Sequence, residues 1–292
     1  MIFLSMVVGV SHDAIRRGLI QKYHWKEMLY GIACCRWLKG GYLIIDETEV
    51  NKLYSKITEG LSWIWSHKEG RFIYGYQIIL ICWSNRKVTI PLGWKIYKKG
   101  GKTKTELTIE LIQYCLSVLR LHPDAFLFDA FYGSERILSY LKKHKQSFFT
   151  QVPKNRLFDG KALQHHEEGR PYWTKIGYLK GNIQVQVIKN RRKYYITNCI
   201  GITRKTQLGT YKIRWQIELI FRFVKTQLGL ERCQSTSQRV QHNHFGCCFV
   251  TYALLQDTVQ KTGLSLYRIK QKATLQCNYA NQIDLSTFLS GA

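Results

Sequence analysis

Tyr42-Leu43-Ile44-Ile45-Asp46 is a compact apolar run closed by a carboxylate, set off from what precedes it by Gly40-Gly41. A short continuous apolar run of this kind predicts a strand buried on both faces. The pattern returns after Pro123 as Ala125-Phe126-Leu127-Phe128-Asp129. The chain has only seven Asp in 292 residues, so two at the ends of apolar strands stand out. Between them, Phe72 to Ser84 and Val88 to Tyr97 are β-rich and flank the turn Asn85-Arg86-Lys87, which predicts a hairpin. Lys104 to Leu121 then places Leu107, Leu111, Ile112 and Cys115 at helical spacing. Beyond Asp129, Ser134 is positioned to cap a helix reaching about Lys145, and Ser147 to Val152 reads as one more strand. Strand, hairpin, helix, strand, helix, strand implies a mixed α/β sheet flanked by helices.

Outward from this centre the patterns change. Residues 156–200 are polar, basic and β-rich, with strands expected at Trp173 to Leu179, Ile183 to Ile188 and Tyr194 to Cys199. They read as an antiparallel insertion, after which helices resume at about Lys205. Residues 1–40 read as a helical N-terminal segment, with Met1 to Val10 as part of a packed helix and Ser11 as a helix cap. The expected division is therefore 1–40 and a catalytic unit over 41–292.

Composition narrows the function. A chain that is 45% hydrophobic and 13% aromatic builds a core, which excludes a disordered basic tail. Lys and Arg total 44 against 19 Asp and Glu, a formal net charge of +25 spread along the whole length. Self-repulsion on that scale calls for a polyanionic partner, and the spread suits a broad nucleic-acid face better than a membrane tether. Nine cysteines without a C-x-x-C pair point to reduced thiols and a cytoplasmic setting, and His242, His244 and Cys247 lack the second ligand pair of a zinc site. No membrane association is expected.

The chemistry lies in carboxylates. Adjacent strands ending on Asp46 and Asp129 would bring two like charges together, a costly arrangement unless a cation sits between them. Oxygen ligands favour Mg²⁺ or Mn²⁺. At 100° per residue, Tyr211, Arg214, Glu218, Arg222 and Lys225 fall on one face of a helix whose other side carries Ile213, Ile217, Ile220, Val224 and Leu228. Two sheet carboxylates and one helix carboxylate make a ligand set for two-metal phosphoryl transfer. Tyr211, Arg214 and Lys225 would grip phosphates beside the scissile bond.

The spacing Tyr211-x2-Arg214-x3-Glu218-x6-Lys225 resembles the Tyr-Arg-Glu-Lys signature of bacterial insertion-sequence DDE transposases. Asp46-Glu47-Thr48 resembles the first-Asp motif of that group, usually Asp-Asp-Thr, and Asp129-Ala130-Phe131-Tyr132-Gly133-Ser134 its second. The likeness covers about residues 41–255. It implies a ribonuclease H-like fold with a β-rich insertion before the final Glu. It also implies Asp46, Asp129 and Glu218 as catalytic metal ligands for two Mg²⁺ ions, with Mn²⁺ a substitute, and DNA contacts by Tyr211, Arg214 and Lys225. DNA contacts are further expected from Arg222 and from Lys189, Arg191, Arg192 and Lys193. Excision through a DNA hairpin, strand transfer and a homodimeric synapse on double-stranded terminal repeats and target DNA follow from the same resemblance. The hairpin step needs a base held on an aromatic ring, for which Trp173, Tyr178, Tyr194 and Tyr195 are candidates.

Only 45 residues precede Asp46, fewer than the group generally carries, so a shortened copy with weakened end recognition is expected. Two other readings stand beside the transposase. One is a structure-specific nuclease without strand transfer; the other is a catalytically silent, transposase-derived DNA-binding protein. Nucleoid association is the expected location.

Overall fold

The computed structural model describes residues 12–34, 38–55, 57–66 and 69–275. The apolar Met1–Val10 start and the Ser11 cap lie outside the described residues. Helices α1 (His12–Ile20) and α2 (Trp25–Cys34) lead into β1 (Tyr42–Asn51), β2 (Ser62–Ser66), β3 (Arg71–Ser84) and β4 (Thr89–Tyr97). Next come α3 (Lys104–Gln113), β5 (Ala125–Phe128), α4 (Glu135–Lys143) and β6 (Phe148–Val152). The short β7 (Leu157–Phe158) and β8 (Lys161–Ala162) precede β9 (Tyr172–Leu179), β10 (Ile183–Asn190) and β11 (Lys193–Thr197). Helices α5 (Arg204–Lys212), α6 (Trp215–Thr226) and α7 (Gln238–Thr262) complete the order.

One mixed sheet organises these elements, in the order β2-β3-β1-β5-β6-β11-β10-β9, with β4 also paired to β3. The apolar runs become its centre. Leu43, Ile44, Ile45, Ile78 to Ile81 and Phe126 to Phe128 are fully buried. Burial on both faces is why these strands read as continuous rather than alternating hydrophobic runs, and each such side chain contributes roughly 1.5–3 kcal/mol. β5 and β6 run parallel to β1, and β3 runs antiparallel to it.

β1 does not end at Asp46. Its pairing with β3 runs from Tyr42↔Ser84 to Asn51↔Gly75, while its pairing with β5 stops at Ile45↔Phe128. Asp46 therefore sits mid-strand, at the step where the sheet loses its parallel neighbour. The polar Glu47, Thr48 and Glu49 hide the continuation from a reading that follows apolar runs. Gly75 marks its far end, where an added Cβ would lie 2.2 Å from the Val50 carbonyl oxygen.

The β-rich segment joins the main sheet. Tyr194 to Thr197 pair with Val152 to Phe149, and β10 and β9 follow outward, so among the described residues only β7 and β8 form a separate ladder. Two predicted helices are interrupted. The Lys104–Leu121 helix widens into a π-helix at Tyr114–Val118, with the Leu119 N–H bonded to the Tyr114 carbonyl. The helix expected to run unbroken through Tyr211 is divided between α5 and α6. There the N–H groups of Ile213, Arg214, Gln216 and Ile217 each bond three residues back, the tighter 3₁₀ pattern.

At the other end of the molecule, Trp25 of α2 packs against Gly246 of α7, where any Cβ would overlap the indole. The Trp25 indole N–H donates to Asn243 Oδ1 at 2.9 Å, and the Asn243 amide donates to the carbonyls of Leu19 and Gln21. No helix of the described residues is long and apolar enough to cross a membrane.

Candidate active site

Asp46 and Asp129 stand side by side, each one residue past the last β1–β5 pair, Ile45↔Phe128. Asp46 Oδ1 accepts from the Glu47 N–H at 2.9 Å, and Asp129 Oδ1 accepts from the Phe131 N–H at 3.0 Å. Burial pushes the Asp46 carboxyl up to about 7; Arg214 opposes the rise and the neighbouring Asp129 adds to it. Asp129 is pushed upward too, again mainly by burial, against the pull of its backbone hydrogen bonds and Arg214. Two half-buried acids side by side are short of positive charge.

The third carboxylate arrives from α6, which buries Ile217, Ile220, Phe221, Phe223 and Val224. This apolar side packs the helix on the sheet and leaves Glu218 facing β1. Arg214 joins the two elements. Its Nη1 donates to Asp46 Oδ2 at 2.5 Å and its Nη2 to Glu218 Oε1 at 2.6 Å. Burial lowers the guanidinium's own pKa, but Asp46, Tyr211 and Glu218 more than offset this. The 3₁₀ turn at 213–214 brings Tyr211, three residues back, under the same group, with its ring centre 5.9 Å from the Arg214 guanidinium carbon. Tyr211 itself is pushed up to about 12 by burial and lies edge-on to Tyr195 at 5.0 Å.

Among the other expected DNA contacts, Lys225 is engaged within the protein, donating to the Glu49 carbonyl at 2.5 Å and pairing with Glu231 at 3.0 Å. Arg222 is exposed on α6. Arg191, Arg192 and Lys193 are exposed at the β10–β11 turn, and Lys189 is half-buried beside it. Because Tyr194 pairs with Val152 at the C-terminal end of β6, this turn lies on the same sheet edge as Asp46 and Asp129. Arg204 adds to the cluster, stacked 4.4 Å from the Tyr172 ring centre. Of the four aromatic candidates, Trp173 and Tyr194 are buried, Tyr195 is half-buried and only Tyr178 is exposed.

Two features escaped the sequence reading. Trp215, half exposed, opens α6 directly after Arg214. Glu47 anchors a second cluster, receiving Lys104 Nζ at 2.8 Å, Gln77 Nε2 at 2.8 Å and the Tyr132 hydroxyl at 2.8 Å. Nothing in the linear spacing links these four residues. For Arg214 a signal did exist, since its i,i+4 spacing to Glu218 allows the ion pair observed.

The donor chemistry suits a hard divalent cation: three carboxylates, two of them half-buried and raised in pKa by desolvation. Among the described residues no three of His, Cys, Asp and Glu stand in metal-binding geometry. Arg214 is the cation that Asp46 and Glu218 share. The guanidinium holds the bridging position between these two carboxylates.

Residues 37–254 match the family described as the transposase DDE domain. No curated protein matches the chain in sequence. Among solved structures, the piggyBac transposase synaptic complex with hairpin DNA superposes with a TM-score of 0.59 at 11% identity. The match covers 84% of this chain and 54% of that one, so this chain spans about half the length of its structural relative. The shared fold is the ribonuclease H-like one. Ciona intestinalis endonuclease V, bound to a 24-mer DNA, gives a TM-score of 0.31 at 13% identity over 65% of this chain and 85% of that one, too loose a superposition to argue from.

Proposed function

The chain belongs to the transposase DDE domain family, and from that premise we propose that it cuts DNA at transposon ends and joins the freed ends to target DNA. The observation that carries this is that Asp46 and Asp129 end adjacent parallel pairings side by side, while the Arg214 guanidinium joins Asp46 to Glu218 of α6.

In the first reaction, water attacks the phosphorus at the transposon end, the P–O3′ bond breaks and a 3′-hydroxyl is released. In the second, that hydroxyl attacks a target phosphodiester and displaces its 3′ oxygen. Divalent ions, when bound, would supply Lewis acidity to the entering and leaving oxygens of each in-line displacement. Asp46, Asp129 and Glu218 would hold them. The backbone N–H groups of Glu47 and Phe131 fix one oxygen of each aspartate, so the acids are oriented before substrate arrives. Arg214, with Tyr211 beneath it, would clamp a phosphate beside the scissile bond. Lys189, Arg191, Arg192 and Lys193 extend a basic track along the same edge, with Arg222 on α6. The active assembly in this reading is a homodimer that pairs two transposon ends.

The test is Mg²⁺-dependent nicking of a supercoiled plasmid, followed by a search for strand-transfer products. Glu218→Gln should abolish nicking and leave DNA association, measured without divalent metal, within about twofold, because it removes ligand charge rather than phosphate contacts. Equal loss of both would refute the assignment, nicking without joined products would indicate a nuclease, and no nicking by the wild type would indicate a silent DNA-binding descendant.

A further inference from the structure

We propose that Arg214 is the resident cation of the carboxylate cradle, given up to divalent metal when a DNA phosphate takes over its guanidinium. Metal binding and DNA binding are then coupled through one side chain. This rests on the reading of Asp46, Asp129 and Glu218 as ligands.

Both Asp46 oxygens are occupied. Oδ1 accepts from the Glu47 N–H at 2.9 Å, and Oδ2 accepts from Arg214 Nη1 at 2.5 Å. The first partner belongs to the β1 backbone and stays with the strand. The second hangs on a long, rotatable side chain and can leave. The same guanidinium holds Glu218 Oε1 at 2.6 Å, so a single departure frees an oxygen on each of two ligands. Each of these oxygens keeps a second lone-pair site, but a dication beside a retained guanidinium would face like-charge repulsion and compete with it for the same carboxylate charge. Guanidinium and metal are alternatives at Asp46 and Glu218.

A backbone phosphate offers Arg214 what the two carboxylates now provide, a pair of anionic oxygens matched to a planar fork. The exposed Trp215 and Arg222 on α6 leave the outer side of this helix open to solvent, so the side chain has a surface to turn towards. The DNA-free chain thus keeps its acids assembled without metal. Linkage requires the coupling to run both ways, metal tightening DNA by the factor with which DNA tightens metal.

The test is Mn²⁺ binding followed by electron paramagnetic resonance on the full chain, with and without a short duplex of arbitrary sequence, corrected for Mn²⁺ held by the duplex alone. Wild-type protein should bind Mn²⁺ about tenfold more tightly with the duplex present. Arg214→Gln should bind tightly without DNA and gain nothing from it. Duplex affinity of the wild type, read by fluorescence anisotropy, should improve by the same factor on adding Mn²⁺, a measurement that does not depend on the variant folding. The exchange is refuted if the wild type's Mn²⁺ affinity ignores the duplex, or if folded Arg214→Gln binds no tighter than wild type. Asp129→Asn separates the two ideas: undiminished Mn²⁺ binding there would remove the ligand assignment itself, whereas loss there with no gain in Arg214→Gln would remove only the exchange.

Discussion

Asp46 and Glu47 are neighbours on β1, yet their side chains serve opposite faces of the sheet and live in different chemistry. Asp46 faces α6, lies beside a second half-buried acid and shares one guanidinium with Glu218; desolvation pushes it up to about 7. Glu47 faces α3 and is met by Lys104, Gln77 and the Tyr132 hydroxyl. One acid is under-compensated and positioned beside other acids, and the other is fully partnered. In the proposed function Asp46 stands on the ligand side, where acids outnumber cations, and Glu47 on the supporting side, where the acid has a lysine of its own. Tyr132 ties the two together, because the turn that begins at Asp129 ends with its hydroxyl on Glu47.

The sharpest way to break this contrast is to neutralise each acid in turn. Asp46→Asn should lower plasmid nicking by on the order of a thousandfold or more, about 4 kcal/mol of transition-state stabilisation. Glu47→Gln should keep nicking within about tenfold (roughly 1.4 kcal/mol) per folded molecule. Comparable losses would mean that the two faces are not distinct in role.

A second contrast appears in pH. Asp46 has its pKa raised from 3.8 to about 7 on folding, so between these values the unfolded chain has released a proton that the folded chain retains. Its contribution to metal-free stability is fully present below about 3.8 and is lost as pH rises towards about 7. Denaturant unfolding of wild type and Asp46→Asn across this range should give a difference that grows with pH in favour of the variant and levels off near neutrality. A flat difference would show that Asp46 is adequately compensated in the folded protein.

Smaller effects lie on the Glu47 side. Glu47→Ala strands Lys104 and the buried Tyr132 hydroxyl together and should cost about 2–3 kcal/mol in chemical denaturation. Tyr132→Phe removes one hydrogen bond to a charged acceptor and should cost about 1.5 kcal/mol, with no change in Mn²⁺ affinity. A Mn²⁺ defect in Tyr132→Phe would place Glu47 within the ligand set.

What could be read from the sequence follows the same division. Tyr42–Ile45 and Ala125–Phe128 announce buried parallel strands because both faces are apolar, and the order of elements around them implies a mixed sheet. The α6 face carrying Arg214 and Glu218 is visible because helical periodicity is local. The continuation of β1 past Asp46 is not, since alternating polar residues there resemble a loop until β3 pairs with them. The Glu47 cluster unites positions 47, 77, 104 and 132, whose proximity exists only after the sheet and α3 have packed. Nor could residue spacing foresee that the Arg214 fork would bridge Asp46 and Glu218, because one of those contacts crosses 168 residues.

Iron-directed backbone cleavage tests directly whether Asp46, Asp129 and Glu218 share one cation site. With Fe²⁺ in place of Mg²⁺ on the DNA-bound protein, peroxide and ascorbate generate hydroxyl radicals that cut the chain nearest the ion. Fragments ending around residues 46, 129 and 218 are expected, all suppressed together by excess Mg²⁺. Cuts confined to one of these segments, or clustered elsewhere in the chain, would contradict a shared site.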